Sequence, residues 1–130
     1  MEMKVSFPDN LKVDAELNGF HVRTDQPRSI GGDETQPSPT ELFFASIATC
    51  AGIFMLWFMK ERDIDPEGSG ITMKMEKDPD TKMVGRLVLD LRLPAGFPEK
   101  YEQAIIRVVD QCTVKRYLKA PPSFDVRTSR

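Results

Sequence analysis

Cys50, Cys112 and the lone histidine, His21, are the side chains here whose types most readily do chemistry. Three soft ligands fall short of a structural zinc site, which usually takes four from Cys and His, so no metal is expected. No CxxC occurs, and the thioredoxin-type redox motif is therefore absent. The opening stretch, MEMKVSFPDN, has no apolar run and no small-residue cleavage site. A cytoplasmic protein is expected, in which two thiols rest reduced and any disulfide between them is transient and functional. Free cysteines are commonly small hydrophobes of the core. The second reading is a peroxidatic pair: one thiolate attacks a peroxide O–O bond and becomes a sulfenic acid, and the other condenses with it to a disulfide.

Peroxidatic chemistry needs a thiolate, and an apolar setting raises a thiol's pKa. Cys50 falls about three turns inside a predicted helix, beyond the field of the helix N-terminus, which fades within one turn. A cation must come from elsewhere. Arg23 and Arg28 precede that helix, and Arg116 stands one turn beyond Cys112. Each could equally be a solvated surface arginine.

The helix in question is Ser38–Lys60, SPTELFFASIATCAGIFMLWFMK. Ser38 can cap it, Pro39 suits the first helical position, and Glu41 can reach back in a capping box. About 22 residues at 1.5 Å each run ~33 Å. From Leu42 to Met59 the side chains are apolar on every face, so burial all round is expected. Its apolar span of roughly 18 residues also meets the length of a membrane crossing. Amphipathic segments flank it, however, and a soluble core helix with a second subunit closing over it is the expectation. Around Cys50, within about 60° on the helical wheel, project Phe43, Ser46, Ile47, Ile53, Phe54 and Trp57.

Before this helix, Met3–Phe7, Leu11–Leu17 and Phe20–Thr24 read as strands, the last two joined by the hairpin pair Asn18-Gly19. Asp25–Pro37 is a polar loop. After it, Ile71–Lys77 and Lys82–Leu93 form a second hairpin, with Gly85 marking a bulge. A second helix opens at Pro98 and carries Tyr101, Ala104, Ile105, Val108 and Cys112 on one stripe. Ser123–Thr128 reads as a last strand. The order βββ-α-ββ-α-β predicts an α+β fold: antiparallel sheet with helices packed on one face.

At 130 residues the chain is expected to form one domain, 1–130. Its net charge of −2, with no basic stripe, argues against nucleic acid as a partner.

Ser38-Pro39-Thr40-Glu41-Leu42 leading to Ala48-Thr49-Cys50, followed by Cys112-Thr113-Val114-Lys115-Arg116-Tyr117-Leu118, resembles the OsmC/Ohr family (osmotically induced protein C and organic hydroperoxide resistance protein). That family's pattern is a Pro-x-Glu-Leu helix start, a Cys nine to ten positions on, and a second Cys opening a C-P-V-x-R-x-L-like segment. The order of elements is similar over nearly the whole chain.

The resemblance implies an intertwined homodimer with two long central helices at its heart. It also implies thiol-dependent reduction of small organic hydroperoxides, with Cys50 peroxidatic and Cys112 resolving. An arginine would hold the Cys50 thiolate, and an external dithiol such as a lipoyl group would be the reductant, with no resident cofactor. Two positions depart from the pattern. Thr40 stands where the best-characterised hydroperoxide reductases carry a carboxylate, and Thr113 replaces the usual proline. Glu41, nine residues before Cys50, projects from the opposite side of the helix and reads first as a cap. Arg28 is the leading candidate for the thiolate's partner, ahead of Arg23 and Glu41. The competing expectation is a dimeric small-molecule-binding or stress-response module that keeps the pocket without the chemistry.

Overall fold

Asn18 and Gly19 adopt left-handed backbone, with φ of 50° and 79°, and fold the chain back on itself in the computed structural model, which describes residues 1–130. Leu17 consequently pairs with Phe20 across a two-residue turn. Strands β1 (Lys4–Ser6), β2 (Val13–Leu17) and β3 (Phe20–Thr24) form an antiparallel sheet in that order, with Val5 opposite Ala15 and Ala15 opposite Val22. The chain divides into two compact units, Met1–Ala45 and Ser46–Arg130.

In the first unit, the loop after β3 closes on one carboxylate. Asp25 is fully buried. It accepts hydrogen bonds from the backbone N–H groups of Gln26 (2.8 Å), Asp33 (3.4 Å) and Thr35 (3.1 Å), and from the Thr35 hydroxyl (2.7 Å). Burial alone would push its pKa up, but these donors, led by the Thr35 hydroxyl, outweigh it and hold the carboxyl well below the usual range. Gly32 is required by the same closure. A Cβ there would sit 1.9 Å from the carbonyl oxygen of Gln26. The Asn10 side chain donates to the Gly31 carbonyl at 3.0 Å, and Lys12 pairs with Asp33. The polar loop of the sequence is therefore a built structure. It carries a 3-10 turn, Arg28–Ile30.

Helix α1 (Pro39–Glu61) starts as its residues dictate. The Ser38 N–H donates to the Glu41 carboxylate at 2.8 Å, and the Glu41 N–H to the Ser38 hydroxyl at 3.2 Å, a closed capping box. At the far end Asp63 takes φ 52°, and the Ile64 N–H returns to the Met59 carbonyl at 2.9 Å, which stops the helix without a glycine.

In the second unit, β4 (Gly70–Lys77) and β5 (Val84–Arg92) pair antiparallel. Glu76 faces Arg86 and Lys77 faces Val84, so Gly85 is the extra residue of a bulge, as its position in the pattern suggested. Helices α2 (Glu102–Asp110) and α3 (Thr113–Lys119) follow. The core joins Ala51, Met55, Phe58 and Met59 of α1 to Ile105 and Val109 of α2, with Ile71, Leu89 and Leu91 of the hairpin packed against them.

Two expectations are corrected. The second helix is two helices, because Gln111 (φ −103°, ψ 21°) and Cys112 (φ −60°, ψ 152°) leave helical backbone. The corner is rich in weak helix formers: Val108, Val109, Cys112, Thr113 and Val114. Cys112 therefore lies at a corner, not on the stripe of a continuous helix. The segment Ser123–Thr128 forms no strand; it pairs with no edge of either sheet, and Phe124 and Val126 are exposed. Within the single chain, α1 is buried along one line, Ile47, Ala51, Met55, Phe58 and Met59. Phe43, Ile53 and Trp57 are 45%, 36% and 51% exposed, because one chain supplies packing for a single face. The helix is long and apolar enough to cross a membrane by length and composition.

Candidate active site

α1 places Cys50 beside its buried line, one position before fully buried Ala51, so the thiol is half-buried. Cys112 is carried by the corner between α2 and α3 and is 0% exposed. Both are free thiols, and they are neighbours, close enough for each sulfur to act on the other's ionisation. Residues separated by most of the second unit's length are thus brought together by the packing of α1 against α2.

The two sulfurs have different settings. Burial pushes the Cys112 thiol above its usual pKa, and the adjacent Cys50 sulfur adds to the rise. The Lys115 backbone N–H and ammonium pull the other way without overcoming it. Cys112 is the N-cap residue of α3 and Lys115 the third residue of that helix, the relation in which a cap side chain faces a free N–H. The protonated thiol makes no cap hydrogen bond.

A cavity of about 510 Å³ adjoins the corner, lined by Phe54, Val108, Gln111, Arg116 and Lys119. Phe54 lies one turn beyond Cys50, and Val108 and Arg116 lie four residues either side of Cys112. Its walls are thus apolar on the α1 side and cationic on the α3 side. A second cavity, of about 360 Å³, borders the other side of α1 against the start of β4, with Thr49, Gly52, Met55 and Ile71 in its lining.

The other sequence candidates fall in the first unit. Arg28 stands exposed in the 3-10 turn, Arg23 exposed on β3, and Glu41 in the capping box. His21 is exposed on β3 opposite Glu16. No group of three or more His, Cys, Asp or Glu side chains is placed to hold a metal ion. Lys115 and Gln111 are the residues that sequence reasoning passed over. Lys115 becomes visible only once Cys112 is recognised as a helix cap, and a continuous apolar stripe hides that.

The family described as OsmC-like protein matches residues 31–127. No curated protein matches this sequence. Among solved structures, the chain is similar to a protein of Psychrobacter arcticus 273-4 named for the osmotic stress and detoxification response. The TM-score is 0.73 and the identity 21%, over 88% of this chain and 85% of that one. It is also similar to an OsmC-like protein from Mycoplasma pneumoniae (TM-score 0.65, 13% identity, 92% and 87% covered). A third is an organic hydroperoxide resistance protein OsmC from Legionella pneumophila (TM-score 0.58, 18% identity, 91% and 88% covered). At these identities the likeness is one of fold.

Proposed function

The chain belongs to the OsmC-like protein family, and on that footing we propose that it is a thiol-dependent peroxidase for small organic hydroperoxides. The observation that carries this reading is the meeting of two free thiols, one half-buried and one fully buried, next to a cavity of mixed apolar and cationic lining. The relatives named for hydroperoxide resistance and detoxification support it.

The half-buried sulfur is the one a peroxide reaches first. The Cys50 thiolate attacks the O–O bond, forms an S–O bond and releases an alkoxide, which takes a proton to leave as an alcohol. The Cys112 thiolate then displaces hydroxide from the Cys50 sulfenic acid, giving the disulfide and, with one proton, water. An external dithiol, a lipoyl group being one, reduces the disulfide by exchange and is itself oxidised to a cyclic disulfide. Arg28 is the cation we put beside the Cys50 thiolate, with Arg23 the weaker alternative and Glu41 a weaker candidate for the carboxylate that would bind the arginine. The chain acts in the cytoplasm as a homodimer. The open apolar line of α1 supports the pairing, since contiguous exposed apolar surface marks an interaction site.

The purified protein should consume cumene hydroperoxide with dihydrolipoamide present. Cys50→Ser should abolish turnover, and Cys112→Ser should leave a sulfenic acid on Cys50 that dimedone traps one per chain. Turnover unaffected by Cys50→Ser overturns the proposal. The absence of any turnover, together with apolar ligand binding beside α1, would favour the binding module instead.

A further inference from the structure

Asp25 is the single fully buried charged side chain of the protein, and it opens the loop that carries Arg28. Its two oxygens divide that loop between them. Oδ1 accepts from the Gln26 and Asp33 N–H groups, one on either side of the 3-10 turn, and Oδ2 accepts from the N–H and the hydroxyl of Thr35. Backbone bonds complete the closure. The Gly32 N–H donates to the Pro27 carbonyl at 3.0 Å, the Glu34 N–H to the Gln26 carbonyl at 3.1 Å, and the Asp25 N–H to the Pro37 carbonyl at 3.2 Å. Arg28 therefore projects from a backbone pinned both before and behind it.

Arg28 itself is exposed, and its guanidinium makes no ion pair or hydrogen bond. That freedom has a structural cause, since three carboxylates, Asp25, Asp33 and Glu34, stand within six residues of it in the chain. Asp25 is turned inward onto amides. Asp33 is held by Lys12 and by the Asn10 amide at 3.3 Å, and only Glu34 is left exposed. Bonds from fixed amides to a buried carboxylate outcompete a solvent-screened surface ion pair, so Asp25 is withheld from the arginine beside it. The charged groups near enough to act on Asp25 are Lys12 and Asp33.

We propose that Asp25 is the positioning residue of Arg28: it fixes the base from which the guanidinium reaches the Cys50 thiolate, and it keeps its own charge off that guanidinium. The inference rests on the peroxidase reading for the role of Arg28 at Cys50, and Asp25 acts through Arg28 alone. A cation held within about 4–6 Å of a thiolate lowers the thiol's pKa by about 1–3 units. A cation on a loop free to open is in place for part of the time, and the lowering shrinks accordingly.

The readout is the pH midpoint of Cys50 alkylation by iodoacetamide, followed by intact mass in the Cys112→Ser protein, where no peroxide is needed. Arg28→Met should raise the midpoint by about one unit. Asp25→Asn keeps the side chain's shape but loses its charge and one accepting oxygen. It should raise the midpoint by about half a unit, roughly threefold less thiolate below the midpoint. Thr35→Val removes the hydroxyl donor, keeps the N–H, and should leave about twofold less thiolate, whereas Thr35→Ser should match wild type.

In the Arg28→Met background, Asp25→Asn should give no further shift, because the carboxylate works through the arginine. A merely structural aspartate would act equally with and without Arg28. Should Asp25→Asn fail to fold, seen as lost amide protection along β2, the Thr35 pair decides instead. A midpoint unmoved by Arg28→Met, a midpoint unmoved by both loop variants, or equal shifts in the two backgrounds overturns the proposal. If wild type shows no turnover of cumene hydroperoxide while the midpoints shift as stated, the peroxidase reading fails and the positioning role stands.

Discussion

Phe58 is the side chain through which α1, the bearer of Cys50, grips the segment that leads to Cys112, and its removal should be costly in a calculable way. It is 3% exposed, and its ring meets Tyr101 edge-on at 5.9 Å and Phe97 at 6.4 Å. The Arg62 guanidinium lies 3.6 Å from the ring centroid, while its Nη1 donates to the Phe58 carbonyl at 3.1 Å. Truncating a buried Phe to Ala costs roughly 3–5 kcal/mol. Phe97 and Tyr101 are partly buried and can relax inward, so about 4 kcal/mol is expected rather than the upper bound.

Phe58→Leu keeps most of the apolar volume and loses the ring contacts, roughly 0.5–1.5 kcal/mol for aromatic pairing and about 0.5–1 for a cation one-third exposed. Its cost should therefore be about half as great. In urea, with a slope of about 2 kcal/mol/M, the Ala variant's midpoint should fall by about 2 M and the Leu variant's by about 1 M, at fixed protomer concentration. Disulfide formation between the thiols should slow in the same order, since the grip also sets their alignment. Equal costs for Ala and Leu, or a shift below about 0.5 M for Ala, would refute the assignment of Phe58 as the joint.

Asp25→Asn should open the Gln26–Thr35 loop, seen as faster hydrogen exchange at Gln26 and Thr35. The folded Asp25 pKa is depressed, so its contribution is present above the ordinary carboxylate value and lost as pH falls toward the folded one. Wild type should therefore lose stability more steeply than the variant as pH drops below about 4, and identical acid profiles would count against the buried carboxylate as the loop's anchor. Trp57→Glu places a charge on the open line of α1 and should shift the sedimenting species from twice 14.7 kDa toward the single chain. A variant that keeps the double mass would place the proposed contact on another surface, and a wild type already at the single-chain mass would refute the dimer.

What the sequence revealed and what it hid follow from the range of the forces involved. The capping box at Ser38 and Glu41, the Asn18-Gly19 turn and the Gly85 bulge were all legible, because each is decided within a few residues by backbone sterics and local hydrogen bonds. The corner at Cys112 was not. The apolar stripe from Tyr101 continues in helical register through it, and only backbone angles reveal the break. The final strand was overread because alternation at Phe124 and Val126 reports a pattern and not a partner. Asp25 gave no signal either. A lone aspartate in a polar loop looks solvated, and its burial depends on donors up to ten residues away.

The corner also bears on which sulfur would travel to form the proposed disulfide. Sulfurs can join only with their Cα atoms within roughly 7 Å and their side chains suitably turned, and any backbone adjustment falls where the chain is least held. Cys50 lies in the middle of a 23-residue helix, and moving it breaks hydrogen bonds on both sides along with the burial of Ala51. Cys112 sits between helices of nine and seven residues and is tied by two backbone bonds, its N–H to the Val109 carbonyl at 3.3 Å and its carbonyl to the Arg116 N–H at 3.1 Å. Beyond α3 no further element anchors the chain. Oxidation should thus leave amide exchange along α1 near Cys50 unchanged and raise it across Gln111–Arg116. Changes centred on α1 instead would place the compliant element on the wrong side of the bond.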